Sequence, residues 1–393
     1  MNIKELREQA IKRYENGESP KEIYQSLGKG KTWFFKWLKR YKLDGKDWAN
    51  NHSCKPHQIP KRIDKIMEQT VIETRKYLEK KQYSQIGALA ISYDLNKQGI
   101  ISPPISTINK ILRRNNLVLK RTKYAPKGVS YPSLLITHSN YVHQIDIVGP
   151  RYLKEDGRFY SVNIIDAFDR RNSTNPERRQ NRIAVTKGLV SSWQTLGIPL
   201  YEQMDNKLPM RGSNQYPHSF GLVIRLCLSL GVQPFFIPLA EPWRNGIIEH
   251  FQNVFDKIFF RTQHFKDFDH LYKQAKVFEL SHNQNHRYST LEGRTPNQKC
   301  SGNIKLLPAF FRLPNKLAIC PGHVHLIRFI RSDRILDIFG EKYVMPGKVE
   351  HEYVWATIDT VKEKLFIYHD SKLVVEYPYP LPKSSIDLSR FDL

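Results

Sequence analysis

The chain has 393 residues, of which 40% are hydrophobic and 12% aromatic, so it is long enough for two to four domains with cores of their own. Its 62 lysines and arginines outnumber its 38 acidic residues and give a formal charge of +24. Such a surplus indicates an anionic partner, with nucleic acid favoured over an anionic membrane, and a basic surface that only keeps the protein soluble is the alternative.

The positive charge is concentrated towards the amino terminus. Residues 1–130 hold 28 basic and 12 acidic residues, a net of +16, whereas residues 131–393 hold 34 and 26, a net of +8. This asymmetry predicts a nucleic-acid-binding arm on a less basic body. The most hydrophobic stretch, residues 221–240, is interrupted by an arginine, a glutamine and two prolines, which argues against a membrane span. The charged first residues and four scattered cysteines without a CxxC pair favour a cytoplasmic protein with reduced thiols.

Residues 1–50 are predicted to form a helix-turn-helix DNA-binding domain, with a plain three-helix bundle as the alternative. The segment "ESPKE" offers Ser19 as a helix cap and Pro20 at the first helical position. A turn with two glycines then precedes "TWFFKWLKRYK", a basic third helix whose aromatic residues are expected in the core. The expected phosphate contacts are Lys31, Lys36, Lys39 and Arg40.

A second helical module is predicted at residues 63–120, as a helix-turn-helix or winged-helix domain. Ser106 is the expected cap of its third helix, and Arg113 and Arg114 at the end of that helix are further candidates for DNA contacts.

Two polar segments, residues 51–62 and the basic residues 121–135, are predicted to be linkers. The first contains three residues that could bind zinc, but the second pair of ligands that a zinc site needs is not nearby. These residues are His52, Cys54 and His57.

Residues 136–302 are predicted to form an α/β domain with one mixed central sheet. Two strands, in "HQIDIV" and "RFYSVNIIDAF", are joined by a hairpin through Asp156-Gly157. The elements expected next are a basic loop at 169–182, a strand at 183–185, a helix capped by Thr186, a strand ending in Asp205, a helix near 220–230 and a strand in "VQPFFI".

Residues 303–393 contain short strands at regular spacing, such as "HVHLIRFI", "YVWATID" and "KLVVEY". This pattern predicts a small SH3-like β-barrel, which we expect to bind DNA.

Three carboxylates stand out in the predicted α/β domain. Asp146 lies inside a strand, where acids are disfavoured unless something such as a metal ion requires them. Asp205 lies at the end of a strand, where acids are common because a loop follows, so its position alone indicates little. In the helical phase of residues 247–258, Glu249 lies opposite the apolar stripe, which excludes a core position but leaves a merely solvated side chain open. Three such acids could hold two Mg²⁺ or Mn²⁺ ions about 3.5–4 Å apart for phosphodiester chemistry.

Five ordered motifs in residues 136–300 resemble the DDE family of transposases and retroviral-type integrases. They are "HQIDIVGP", "NIIDAFDR", "GIPLYEQMDN", "IPLAEPWRNGIIEHF" and "NHRYSTLEGRTPNQ". The resemblance implies an RNase H-like core in which Asp146, Asp205 and Glu249 are the catalytic triad and bind Mg²⁺ or Mn²⁺, as a pair of ions. It also implies supporting roles for the residue after the second aspartate and for the turn before the glutamate, which are Asn206, Asn245 and Gly246.

The sequence also departs from this family. The second aspartate and the glutamate lie 44 positions apart, further than is usual, and the extra residues fall in 206–219. The family normally has a glycine after the Asp-Asn pair, which this sequence lacks, and the basic segment 170–182 is unusual. Asp166 and Asp169, at the end of the second strand, are not expected to be catalytic, and Asp166 is expected to be structural or to support the site from behind the triad.

The function that the resemblance implies is DNA transposition, by a protein associated with the nucleoid of a bacterial-type cell. Water would cleave DNA at the ends of the mobile element, and the freed 3′-hydroxyl would then join to target DNA. Acting on two ends implies at least a dimer. The alternatives are an inactive copy, a non-catalytic DNA-binding regulator derived from such an enzyme, and a nuclease of the same fold that cuts without joining.

Overall fold

The computed structural model describes residues 2–43, 45–51, 63–118, 131–213 and 215–389. The chain divides into two compact units, Met1–Asp64 and Lys65–Leu393. The zinc-site candidates His52, Cys54 and His57 lie outside the described residues, as does most of both predicted linkers, and the predicted domain boundaries stay predictions. Among the helices in the described ranges, none combines the length and hydrophobicity that crossing a membrane requires.

The described residues of the first unit include three α-helices, α1 (Ile3–Glu15), α2 (Pro20–Ser26) and α3 (Lys31–Leu43). The start of α2 is as predicted, because Ser19 Oγ accepts a hydrogen bond from the amide of Glu22 at 3.4 Å and Pro20 fits the first helical position. Side chains from all three helices share one core, formed by Ala10, Ile11, Ile23, Phe34 and Leu38. The predicted helical region is therefore confirmed.

The second unit begins with three more helices, α4 (Lys65–Lys80), α5 (Ala88–Lys97) and α6 (Ile105–Arg114). They pack on one another through buried apolar side chains, among them Val71, Leu78, Ile91, Leu95 and Ile108. The predicted cap at Ser106 is wrong. Pro104 occupies the cap position with an extended backbone, so α6 begins at Ile105 without a side-chain cap.

In the described part of the chain, nine strands form one mixed sheet. Its first five strands along the chain are β1 (Val142–Leu153), β2 (Gly157–Asp166), β3 (Asn172–Glu177), β4 (Tyr201–Met204) and β5 (Gln233–Phe236). Two short strands, β6 (Lys316–Leu317) and β13 (Ile386–Asp387), pair separately, as do β8 (Ile335–Ile338) and β9 (Glu341–Val344). The four remaining strands of the large sheet are β7 (His323–Phe329), β10 (Tyr353–Asp359), β11 (Lys364–His369) and β12 (Lys372–Pro378). The order across this sheet is β12-β11-β10-β7-β5-β4-β1-β2-β3. Because β1 pairs antiparallel with β2 and parallel with β4, the predicted hairpin and mixed sheet are confirmed.

Helices cover both faces of this sheet. They are α7 (Arg182–Thr195), α8 (Leu208–Arg211), α9 (Leu222–Ser229), α10 (Gly246–Val254), α11 (Phe268–Asn285) and α12 (Pro296–Lys299). Along β2, Val162 and Ile164 join the core that contains α7 and α9, whereas Phe159 and Ile165 join the core that contains α10 and α11. This alternation along the strand is what two separate apolar layers require.

The basic segment 169–182 is not the predicted loop, and residues 183–185 are not a strand. Strand β3 occupies Asn172–Glu177, and α7 begins at Arg182 after Asn181, whose side chain caps it in place of Thr186. The polar strand β3 can be buried because α11 supplies hydrogen-bond acceptors for it. The side chain of Asn283 accepts from the amide of Asn172, and that of Glu279 accepts from the amide of Thr174, both at 2.9 Å. Since hydrophobic alternation carries no information about such distant polar partners, it could not indicate this strand.

The predicted separate barrel at residues 303–393 is not confirmed, although the predicted strands are present. β7 pairs in parallel with β5, and β10 to β12 extend the same sheet outward. The sheet is open in the described part of the chain, with β3 and β12 at its edges. The physical reason is the burial of β7: Val324–Arg328 are buried on both faces, which suits a strand inside a large sheet.

A short segment after α4 anchors the helices of the second unit to the core beneath α10. The ring of Tyr83 lies 5.8 Å from that of Phe259 and 5.6 Å from that of Phe278, measured between centroids. Its hydroxyl donates to the side chain of Gln274 at 2.8 Å and accepts from that of Gln263 at 2.7 Å.

We predict that Tyr83→Ala lowers the free energy of unfolding of the second unit by about 2–4 kcal/mol, since it removes a ring from an aromatic cluster. Tyr77→Ala is the matched control, because the Tyr77 side chain is exposed on α4, and we expect a change within about 0.5 kcal/mol. Denaturant unfolding of the full chain measures both. Equal losses for the two variants would contradict the anchoring role.

Candidate active site

The register of two parallel strands sets Asp146 and Asp205 side by side. Gln144 of β1 lies opposite Gln203 of β4. Asp146 and Asp205 each come two residues after these glutamines, and the two strands run in the same direction. Because side chains two residues apart point to the same face of a sheet, both carboxylates lie on the face covered by α10. Both are partly buried, with 25% and 20% of their side-chain surfaces exposed.

A lysine ammonium lies between these two carboxylates. Lys207 Nζ is 3.2 Å from Asp146 Oδ1 and 2.9 Å from Asp205 Oδ2. The amide of Lys207 also donates to Asp205 Oδ1 at 3.0 Å. Burial lowers the pKa of Lys207, but the two carboxylates outweigh it and the net shift is upward. The pair therefore has a cation-binding position between its oxygens.

Glu249 is brought next to Asp146 by α10. Gln252, one helical turn further along, donates from Nε2 to Asp146 Oδ2 at 3.3 Å, so this face of the helix points at the aspartate. Burial and, to a smaller extent, the negative charge of Asp146 raise the pKa of Glu249. Ile248 and Phe251 are buried while Glu249 is not, which agrees with the helical phase inferred from the sequence.

The three acids approach one another without forming a complete ligand group. Among the described residues, no set of three His, Cys, Asp or Glu side chains lies close enough to hold a metal ion. The aspartate pair nevertheless fits a hard divalent cation, because an ammonium already lies within 3.2 Å of an oxygen from each. Carboxylate oxygens are the ligands that Mg²⁺ and Mn²⁺ prefer.

Asn245 ties the start of α10 to both strands of the site. Its Nδ2 donates to the carbonyl of Ile145 on β1 at 3.2 Å, and its Oδ1 accepts from Gln203 on β4 at 3.1 Å. The expected Asn-Gly turn is instead a 3₁₀ turn, Pro242–Asn245, that leads directly into α10. Gly246 has helical backbone angles and open space where a Cβ would lie, so the backbone does not require glycine there.

Asn206 connects the loop after Asp205 to the carboxyl-terminal strands. Its Nδ2 donates to the carbonyl of Ile237, and its Oδ1 accepts from Arg328 Nη2, both at 2.7 Å. Burial lowers the pKa of Arg328 to about 10, which leaves it charged at neutral pH. Sequence reasoning missed Arg328, although an arginine within the apolar strand "HVHLIRFI" was the available signal.

Asp166 and Asp169 are buried away from the pair, in agreement with a structural role. Asp166 accepts hydrogen bonds from the amides of Asn140 at 2.5 Å and Asp169 at 3.0 Å. Asp169 forms an ion pair with Arg171 at 2.9 Å. Neither acid faces Asp205.

Glu202 is a further acid that the sequence did not single out. It lies on β4 with its side chain on the opposite face from Gln203, where Trp193 Nε1 donates to it at 3.3 Å. Complete burial raises its pKa to about 7. Its Oε1 and the Nδ1 of His143, its neighbour on β1, have no hydrogen-bond partner among the described residues.

The candidate DNA contacts have different surroundings. Lys31, Lys36 and Lys39 are exposed on α3. Arg40 is engaged within the first unit: its guanidinium lies 4.8 Å from the Trp37 ring centroid and donates to the carbonyl of Asn50 at 3.2 Å.

At the end of α6, Arg113 and Arg114 are exposed, and Arg114 Nε donates to Glu68 at 2.5 Å. The three lysines of α3 are therefore the clearest candidates of the set.

Comparison with known proteins gives one family match and several structural likenesses. Residues 4–47 match a homeodomain-like domain, which is a helix-turn-helix fold. The chain is 15% identical to the integrase catalytic core domain of HTLV-2, solved with magnesium in a dimeric form, over 42% of this chain and 99% of that one, with a TM-score of 0.30.

A second likeness is to the intasome of simian T-cell lymphotropic virus, solved in complex with the PP2A regulatory subunit B56 gamma. The identity is 14% over 76% of this chain and 95% of that one, with a TM-score of 0.34. No curated protein matches the chain. The homeodomain-like match agrees with the resemblance to DDE transposases and integrases that the core motifs indicate.

We predict that Asn245→Ala lowers the free energy of unfolding by about 1–3 kcal/mol, because it removes two buried hydrogen bonds, one to the Ile145 carbonyl and one from the Gln203 side chain. Asn253→Ala on the exposed face of α10 is the control, since its side chain bonds only within its own helix. Denaturant unfolding measures both changes. A loss no larger than that of the control would mean that Asn245 does not fix α10.

A pH effect follows from Glu202. Because its folded pKa of about 7 lies above its ordinary value of 4.5, its contribution to stability is fully present below pH 4.5 and is lost as the pH rises to about 7. We expect Glu202→Gln to remove about 3 kcal/mol of this pH dependence between pH 4.5 and 8. Unfolding at a series of pH values measures it, with the exposed Glu155→Gln as control. Parallel profiles for wild type and Glu202→Gln would contradict it.

Proposed function

We propose that the protein is a DNA transposase of the DDE type, with an RNase H-like core in residues 136–302. The main support is the parallel register that sets Asp146 and Asp205 side by side around one cation position, with the helix of Glu249 packed over Asp146. Carboxylates on separate elements of a sheet domain are the donor set that divalent-metal phosphodiester chemistry needs.

Asp146, Asp205 and Glu249 would hold Mg²⁺ or Mn²⁺, as two ions. Bound in this way, such ions activate an attacking oxygen and stabilise the leaving oxygen of a phosphodiester. The protein supplies the placement, through the strand register and through Asn245, which fixes the helix of Glu249 against both strands. Water attacks first at the end of the mobile element, and the freed 3′-hydroxyl then attacks target DNA, so a serine or tyrosine nucleophile is not needed.

DNA would be held by the basic amino-terminal part of the chain, which carries a net charge of +16 in residues 1–130 and the homeodomain-like domain. A cleft of about 730 Å³ beside α10, lined by Lys80, Lys81 and Lys257 among others, would offer positive charge to a DNA strand. Cutting and joining two ends requires two active sites, so we expect at least a dimer on DNA.

The test is strand transfer with purified protein, Mg²⁺ and DNA carrying the sequences that flank the coding region. We expect joined products with the wild type and a loss of at least about 100-fold in Asp146→Asn, Asp205→Asn and Glu249→Gln, because each removes a metal ligand. Asp269→Asn and Glu155→Gln, which change exposed acids elsewhere, should retain activity.

The other outcomes identify the alternatives. Cleaved but unjoined DNA would indicate a nuclease of the same fold. Binding of the end sequences without cleavage in Mg²⁺ or Mn²⁺ would indicate a regulator that uses only its DNA-binding arm. Full activity in any one of the three carboxylate variants would exclude that residue from the triad.

A further inference from the structure

Lys207 is the residue whose position the reaction itself does not explain. It directly follows the Asp205-Asn206 pair, and its ammonium contacts one oxygen of each aspartate, at 3.2 and 2.9 Å. It begins the segment 207–213, whose short helix α8 starts one residue later. The position that a divalent ion would take between the two carboxylates is thus filled by a side chain of the protein.

The two carboxylates need a positive charge between them. Like charges on neighbouring strands repel each other, and partial burial strengthens the repulsion because little water screens it. Lys207 is the cation that contacts both aspartates in the described part of the chain. The neutral hydrogen bonds from Gln252 and from the amide of Ile147 orient Asp146 but leave its charge in place.

The side chain of Lys207 is also able to leave. It is 45% exposed, and four rotatable bonds separate its ammonium from the backbone. A lysine differs here from a metal ligand: it stabilises the pair in the absence of metal, but a dication between the same oxygens would repel it.

We propose that Lys207 is an internal counter-ion that holds the two aspartates together in the metal-free protein and must be displaced when a divalent cation binds to both. This inference rests on the proposed function, because it assumes that Asp146 and Asp205 are metal ligands. Lys207 is in this sense a positioning residue that sets metal affinity, and it makes metal binding weaker than the carboxylates alone would give.

The test is calorimetric titration of the full chain with Mn²⁺ and no DNA. We expect Lys207→Met to bind Mn²⁺ about tenfold more tightly than the wild type, since two ion pairs no longer compete with the metal. Lys207→Arg keeps the charge and should bind no more tightly than the wild type. Lys342→Met, which removes an exposed lysine on β9, should leave the affinity unchanged.

Thermal unfolding gives a second readout that is independent of catalysis. In EDTA, Lys207→Met should have a lower Tm than the wild type, because the carboxylates then repel each other without a counter-ion. Saturating Mn²⁺ should raise the Tm of Lys207→Met by more than it raises that of the wild type.

The outcomes separate this inference from the function on which it rests. Equal Mn²⁺ affinity in wild type and Lys207→Met, with binding lost in Asp146→Asn, would overturn the role of Lys207 and leave the metal site standing. Mn²⁺ binding that is absent from both proteins, or unaffected by Asp146→Asn, would overturn the metal site and the counter-ion together.

Discussion

The parallel register between β1 and β4 places two negatively charged side chains next to each other, and the polar structure around the site follows from that placement. Lys207 offsets part of the negative charge of the pair, and Gln252 and two backbone amides orient its oxygens. The helix of the third acid is fixed to the same two strands through Asn245. A shift of the register by one residue would turn one aspartate to the opposite face of the sheet and remove the reason for all of these contacts.

Much of this site could be predicted from the sequence because its signals are local. An acid within an apolar strand, an acid at a strand end and an acid opposite the apolar stripe of a helix are each visible within a dozen residues. The ordered motifs then gave these three a common role by resemblance. The contacts of Lys207 with both aspartates and the hydrogen bond from Arg328 to Asn206 could not be predicted, since each joins residues that meet only in the folded chain.

The errors in the predicted fold have the same origin. Strand β3 is polar and buried, which contradicts the hydrophobic alternation of ordinary strands, and it is stable because α11 supplies hydrogen-bond partners from more than a hundred residues away. The short strands of the carboxyl-terminal part were found individually by their pattern. Their assembly was not, because a strand's sequence does not state which edge it will pair with, and β7 pairs with β5.

The pairing of β7 with β5 has a consequence for how this protein can be divided. A fragment cut at residue 302, where the sequence predicts a boundary, would leave the edge of β5 without its partner and would release Asn206 from Arg328. An uncovered edge strand that contains apolar residues such as Phe235 and Phe236 is a template for intermolecular pairing and aggregation. The tail that resembles an appended domain therefore protects the core from self-association, and truncation would remove that protection.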